Sequence, residues 1–507
     1  MSLRSQKPIV FLLAQALFFL VACNGNSTAD QKEAGGTKSS KSEKITKLVN
    51  AFVENGDFNG AILVSENNEL VYKSGFGYAN MEWDVLNKTD TKFRIGSISK
   101  QFTAMLILQL VAENKLDLHT PISNYLPDYP SINGDQITIH HLLTHSAGIP
   151  NSYPSIAPKK KKGDMIIPDR YSSQELVNEF SALALDFSPG EKFSYSNAGY
   201  TLLGYIAETI SNSSYEQLLQ DKIFSPLGMK NSGYDKHRAI IKNRASGYFK
   251  SWGTYYNANY TDMSKPYAAG GLYATVDDLF LWNQALYSEK LLEKKYLDLM
   301  FTSHIPDPDY GGDYAYGWSI KDKALGNSGE MVETIFHDGV IDGFCAIITR
   351  VPDTNATVIC LSNIRRSPLN AMTKAIMGIL YEKPYDFPRK SLAYAFLDHV
   401  NETDSVEGIQ FYKTNLNNKA YYLSEDEINI ISYKLLNTDR AQTAAKILIL
   451  GIESFPEAFN LYDSLGEIYI ALDDKEAAIK SYKKSIELNP DNTNGIRMLS
   501  SLGVELD

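Results

Sequence analysis

The sequence predicts an α/β body followed by a small all-helical repeat region, and three observations carry that expectation. Strand-like runs open the body at GAILVSEN (60–67) and ELVYKSGFG (69–77), helical stretches follow, and strand-like runs return near 333–362. That order lets one sheet gather both ends of the body. Beyond residue 425 the apolar pattern recurs with the 34-residue spacing of a stacked helical hairpin. The third observation is bulk composition. The 507 residues exceed one ordinary domain, and a hydrophobic fraction of 44% supplies a sizeable core. Against 60 acidic residues stand 49 basic ones, a net charge of -11. That balance argues against a nucleic-acid partner, because phosphate contacts need concentrated Lys and Arg.

The chain begins with an address. Residues 1–7 carry Arg4 and Lys7 and no acid, and the run from Pro8 to Ala22 is apolar except for Gln15. This is a signal-peptide pattern over 1–22, short for a membrane span. It ends Leu20-Val21-Ala22-Cys23, which looks like a bacterial lipobox. The resemblance implies acylation of Cys23 and a lipid anchor at the bacterial cell envelope, at the outer membrane or the periplasmic face. A plain signal peptide with a chance cysteine is the alternative. Residues 23–43, polar and containing Gly and Ser, are expected to form a flexible tether.

The body is expected over 44–385. Cys345 and Cys360 lie in strand-like runs on either side of a turn at 352–355, and two buried free thiols are favoured over a disulfide. Ser97 and Lys100 are three apart at the start of a helical pattern, so both side chains share one face. A hydroxyl beside an amine at a helix N-terminus is suited to nucleophilic attack, provided burial keeps the amine neutral. Ser481 and Lys484 repeat the spacing inside the tail, so the spacing alone is weak. Gly96 before Ser97 permits a tight approach. Tyr195 and Asn197 follow the Pro189–Gly190 turn and precede a helical run from Ala198. His337, Asp338 and Gly339 end a strand-like stretch, where a glycine lets substrate lie against the strand edge and the Val340 N–H is free to donate.

At these residues the sequence resembles the serine beta-lactamase and penicillin-binding-protein superfamily, and within it the class C beta-lactamase-like branch. Three boxes stand in family order as SISK (97–100), YSN (195–197) and HDG (337–339). HLLTHSAGI (141–149), FSPLGMKNSGY (224–234) and AAGGLYATVDDLFLW (268–282) are further family-like strings, and the resemblance covers about 55–385. It implies an antiparallel sheet flanked by helices plus a helical domain. It implies Ser97 as nucleophile, Lys100 assisting its deprotonation and Tyr195 as general acid or base. Asn197 would bind a substrate carbonyl or place Lys100. His337 and Gly339 would contact substrate, and the backbone N–H groups of Ser97 and Val340 would hold the oxyanion. His337 stands where many members carry lysine, which weighs against efficient beta-lactam hydrolysis, since neutral histidine offers a substrate carboxylate no charge.

The function implied is hydrolysis of an ester or amide through an acyl-enzyme on Ser97, with short D-amino-acid peptides, peptidoglycan fragments or small esters as substrates. A true class C-type beta-lactamase is one alternative, and a catalytically silent penicillin-binding-like sensor or adaptor is the other. No cofactor or metal is expected. His141 and His145, four apart, are read as structural hydrogen-bonding residues, and Lys159 to Lys162 as a solvated loop.

In the tail, Tyr462, Leu465, Gly466, Tyr469, Ala478, Tyr482 and Pro490 repeat Ile428, Ile431, Ser432, Leu435, Ala444, Leu448 and Pro456 at equal spacing. The pattern resembles the tetratricopeptide repeat, with two units over 425–492, a linker and degenerate helix over 386–424, and a C-terminal tail over 493–507. Two units are few for a free-standing array, so packing on the body is expected, with a protein partner as a second role.

Overall fold

The computed structural model describes residues 36–151, 171–251 and 253–504. The expected signal peptide, Cys23 and the lysine run 159–162 lie outside the described residues.

An eight-stranded antiparallel sheet organises the body. Its first two strands in sequence are β1 (Gly60–Glu66) and β2 (Glu69–Phe76). The other six come from the far end of the body: β3 (Ile305–Asp307), β4 (Gly312–Tyr314), β5 (Ser319–Ala324), β6 (Met331–Ile341), β7 (Phe344–Val351) and β8 (Ala356–Ser362). Their spatial order is β3-β4-β5-β6-β7-β8-β1-β2, so β1 closes onto β8 with Gly60 opposite Ser362. One sheet therefore does gather both ends of the body.

Both faces of this sheet are buried, and alternation along the strands divides the core. On β1, Ala61 and Leu63 join the larger cluster with Phe102, Trp282 and Ile348. Ile62 and Val64 point the other way, against α1 (Gly36–Glu54) and α4 (Leu369–Leu380). Between these helices in sequence come α2 (Ser99–Ala112) and α3 (Asn197–Ser211), on the side of the larger cluster. Helix α2 is buried over most of its length, from Ser99 to Leu110, and Phe102 stacks on Trp282 at 4.4 Å. An apolar helix sealed on all sides is a rigid mount for the residues at its N-terminus. Cys345 and Cys360 are buried free thiols, as expected.

Three boundaries differ from expectation. Within the expected tether of 23–43, the chain is helical from Gly36, and Lys41 Nζ lies 2.9 Å from Glu66 Oε2. Where a linker and one degenerate helix were expected over 386–424 stand two helices, α5 (Leu392–Glu402) and α6 (Ser405–Asn415). Phe396 and Tyr412 from this pair share a core with Ile428, Leu448 and Leu461. The pair thus supplies the third hairpin that two repeats lack. The repeats are α7 (Glu425–Leu436) with α8 (Ala441–Ser454), and α9 (Phe459–Ala471) with α10 (Lys475–Leu488). The expected C-terminal tail of 493–507 holds α11 (Thr493–Ser501), whose Leu499 is buried with Ala478 and Tyr482.

The array meets the body at one corner. Asn55 Nδ2 donates to the Arg389 carbonyl at 3.2 Å, and Lys390 pairs with Glu54 at 3.6 Å. Among the described residues no helix is long and apolar enough to cross a membrane.

Candidate active site

The three boxes converge on one cleft. Ser97 occupies a three-residue 3-10 turn, Gly96–Ile98, that runs directly into α2. Gly96 has φ +50, a left-handed conformation that disfavours a side chain. A Cβ there would also sit 2.8 Å from Val340 N. Facing it, a Cβ on Gly339 would sit 1.9 Å from the Ile95 carbonyl oxygen and 3.0 Å from Ser97 N. The turn and the strand β6 therefore touch backbone to backbone, with the amides of Ser97 and Val340 close together.

Lys100, in the first turn of α2, is fully buried. Its Nζ lies 3.1 Å from Ser97 Oγ, 2.8 Å from Asn197 Oδ1 and 2.9 Å from the Ala269 carbonyl oxygen. Burial pushes its pKa well below that of an ordinary lysine, and the charge of Asp338 opposes that only in part. The Tyr195 and Tyr200 rings lie 4.7 and 5.5 Å from the same nitrogen.

Tyr195 precedes α3, whose N-cap Ser196 accepts from the Gly199 N–H. Its phenol shares a hydrogen bond with Ser97, and burial raises its pKa well above 10, so it rests protonated. Asn197 is held by Asn151, whose Oδ1 accepts from both Asn197 N and Nδ2 at 2.8 and 3.2 Å. Its carboxamide is thus engaged on both sides, by Lys100 and by Asn151.

His337 is 4% exposed, and both ring nitrogens are engaged. Its Nδ1 faces the Asp338 carbonyl, an acceptor only, so Nδ1 carries the proton. Nε2 then accepts from the Tyr314 hydroxyl at 3.0 Å. On the other side of Tyr314, His145 Nδ1 accepts from the Ser196 N–H at 3.1 Å, which leaves Nε2–H to donate to Tyr314 at 3.2 Å. One polarised chain therefore runs from Ser196 through His145, Tyr314 and His337 to the Asp338 carbonyl. Burial, first of all, pushes His337 down to about 4 and His145 well below 6.5, so both rings are neutral near pH 7.

The cleft has a volume of about 540 Å³ and is lined by Ser97, Tyr195, His337, Asp338 and Val340. Phe193, Asp309, Tyr310, Tyr314 and Ser319 complete it. Sequence reasoning missed Asn151 and the whole wall from Asp309 to Ser319. The dense Tyr and Gly run at 310–317 was the available signal. His145 is a hydrogen-bonding residue as expected, and its ring also lies tilted against Tyr195, with centroids 4.2 Å apart. His141 does have a structural role, completing the capping box with Thr138. Among the described residues no group of three or more His, Cys, Asp or Glu side chains could hold a metal ion.

A family model described as Beta-lactamase matches residues 45–379. The chain belongs to the beta-lactamase family. A penicillin-binding protein of Bacillus subtilis (strain 168) is similar to it, 29% identical over 370 residues, covering 70% of this chain and 79% of that one. The octameric penicillin-binding protein homologue from Pyrococcus abyssi is 29% identical, with a TM-score of 0.58 over 71% of this chain and 81% of its own. A penicillin binding protein from Bacillus halodurans is 27% identical, with a TM-score of 0.55 over 66% of this chain and 98% of its own. This family places the body in the serine-hydrolase superfamily of penicillin-binding proteins and beta-lactamases. A Tetratricopeptide repeat model matches residues 459–492, and such a region is suited to protein–protein interaction.

Proposed function

We propose that the protein is a serine hydrolase of the class C beta-lactamase-like branch, cleaving an ester or amide bond through an acyl-enzyme on Ser97. Short D-amino-acid peptides, peptidoglycan fragments and small esters are its proposed substrates. The coordination of Lys100 carries this reading. Two of its three neighbours, Asn197 Oδ1 and the Ala269 carbonyl, can only accept. A neutral amine has two N–H groups for them and one lone pair, which faces Ser97 Oγ. Burial favours that neutral form. The nucleophile and its base are then already paired at rest.

In the first step Ser97 Oγ bonds to the substrate carbonyl carbon and its proton passes to Lys100. The N–H groups of Ser97 and Val340 hold the oxyanion, worth roughly 3–4 kcal/mol per donor. The carbonyl re-forms, the bond to the leaving group breaks, and the Tyr195 phenol protonates that group. Lys100, whose Nζ lies 4.7 Å from the centre of the Tyr195 ring, returns the proton to Tyr195. Water then adds to the acyl carbon, giving its proton to the same network. The C–Oγ bond breaks and Ser97 is reprotonated, so one water is consumed and an acid is released.

His337, neutral and engaged at both nitrogens, weighs against efficient beta-lactam hydrolysis, because it offers no cation to a ring carboxylate. We also assign Cys23 as the lipid attachment site and the C-terminal repeats as a protein-binding surface. A fluorophosphonate probe tests the central reading: intact mass should show one adduct on wild type and none on Ser97→Ala. A folded wild type that takes no adduct would overturn it.

A further inference from the structure

We propose that the cleft selects substrates carrying a protonated or quaternary amine. This rests on the serine-hydrolase reading of the same site and names its substrate class. Among the described residues, the fixed charges that line the cleft are two carboxylates, Asp338 and Asp309. Asp338 is half-buried, and its Oδ1 accepts from the Tyr310 hydroxyl at 2.7 Å, which aims the carboxylate without neutralising it. Among the described residues neither carboxylate forms an ion pair within 4 Å.

Among the described residues, the nearby cations are turned elsewhere. Lys100 is buried beneath Ser97 and spends its donors on Asn197 and Ala269. Lys321 is bound to the Tyr310 carbonyl. Lys323 feels the charge of Asp338, but its Nζ lies 3.3 Å from the centre of the Phe336 ring. His337 presents no N–H to the cleft, since its one proton is given to a backbone carbonyl.

The remaining walls point the same way. Phe193, Tyr195, Tyr310 and Tyr314 line the cleft, and aromatic faces attract cations. A carboxylate-bearing substrate would meet two like charges with no compensating cation among the described residues, whereas an ammonium meets two carboxylates and aromatic faces.

The test uses the full chain and two matched substrate pairs. D-Alanyl p-nitroanilide against its N-acetyl form places the charge on the acyl side. Acetylthiocholine against its neutral 3,3-dimethylbutyl thioester isostere places it on the leaving group. In at least one pair the cationic member should have a kcat/KM about tenfold or more above the neutral one. Asp338→Asn keeps an acceptor for Tyr310 and should cut that ratio about tenfold. On wild type, raising salt from about 50 to about 500 mM should lower the ratio by screening, with no mutation involved. Equal or inverted ratios in both pairs, in a protein that fluorophosphonate labels, would overturn this proposal alone. A protein with neither labelling nor turnover would overturn the hydrolase reading and this one with it.

Discussion

The Tyr314 hydroxyl donates across 3.0 Å to His337 Nε2, and this one bond fixes the protonation of two histidines. A phenol has a single proton, so the second partner of Tyr314, His145, must be a donor to it. The two rings are therefore opposite tautomers, Nδ1–H in His337 and Nε2–H in His145. Heteronuclear NMR of histidine-labelled protein near pH 7 should show one buried ring of each kind. Two identical tautomers would break the assignment. Tyr314→Phe should remove a partner from both rings and cost about 1–3 kcal/mol of stability, read by denaturant unfolding.

Lys100→Arg separates charge from basicity. Arginine keeps the cation and most of the length but never becomes neutral in a protein. Fluorophosphonate labelling should fall by about a hundredfold or more. In wild type, labelling should rise with pH as Lys100 loses its proton, along a limb that lies below its ordinary 10.5 because burial lowers its pKa. Labelling by Lys100→Arg at the wild-type rate would remove Lys100 from the role of base.

Acid should destabilise the fold over a defined window. Burial, with like charge from His304, His119 and His141, pushes His140 down to about 4, and His337 also lies at about 4. The unfolded chain binds these protons from about pH 6.5 downward and the folded chain does not. Stability is then full above about 6.5 and is lost as pH falls toward 4. For buried His337 the loss is on the order of 1–3 kcal/mol, and for half-buried His140 it is less. Thermal melts across this range should show the slope, and His140→Gln should flatten it.

The two facing glycines predict a steric effect on the site itself. A Cβ on Gly339 would meet the Ile95 carbonyl oxygen at 1.9 Å, a distance only backbone movement can relieve. Gly339→Ala should lose labelling and destabilise by about 2 kcal/mol or more. Intact labelling in that variant would show that the strand can retreat without disturbing the turn.

In the tail, Gly466 faces Tyr482, whose ring would lie 2.7 Å from an added Cβ. Gly466→Val should force α9 from α10 and cost about 1–3 kcal/mol. Because that contact is remote from the cleft, Ser97 labelling should persist while limited proteolysis opens the repeats.

Much of this was legible in the chain because it rests on local spacing. Ser97 and Lys100 meet because they are one helical turn apart, and Tyr195 stands ahead of α3 because Ser196 caps it. The 34-residue period found Ile428, Ile431, Leu435 and Leu448, all fully buried. What was not legible depends on contacts between distant segments. Asn151 holds Asn197 from 46 residues away, and Tyr314 reaches His145 from 169 residues away. Neither residue carries a pattern that names its partner. Helix α5 escaped because it completes the array without sharing its period.

The backbone contact between Gly96 and Gly339 has a consequence for how this cleft can change. The two amides at its floor are spaced by main chain against main chain, with no side chain between them. Residues such as Asp309, Tyr310 and Phe193 line the walls without setting that spacing. The lining is thus open to exchange while the floor is not. New preferences can be written into the walls one residue at a time, each leaving the reacting distance as it was.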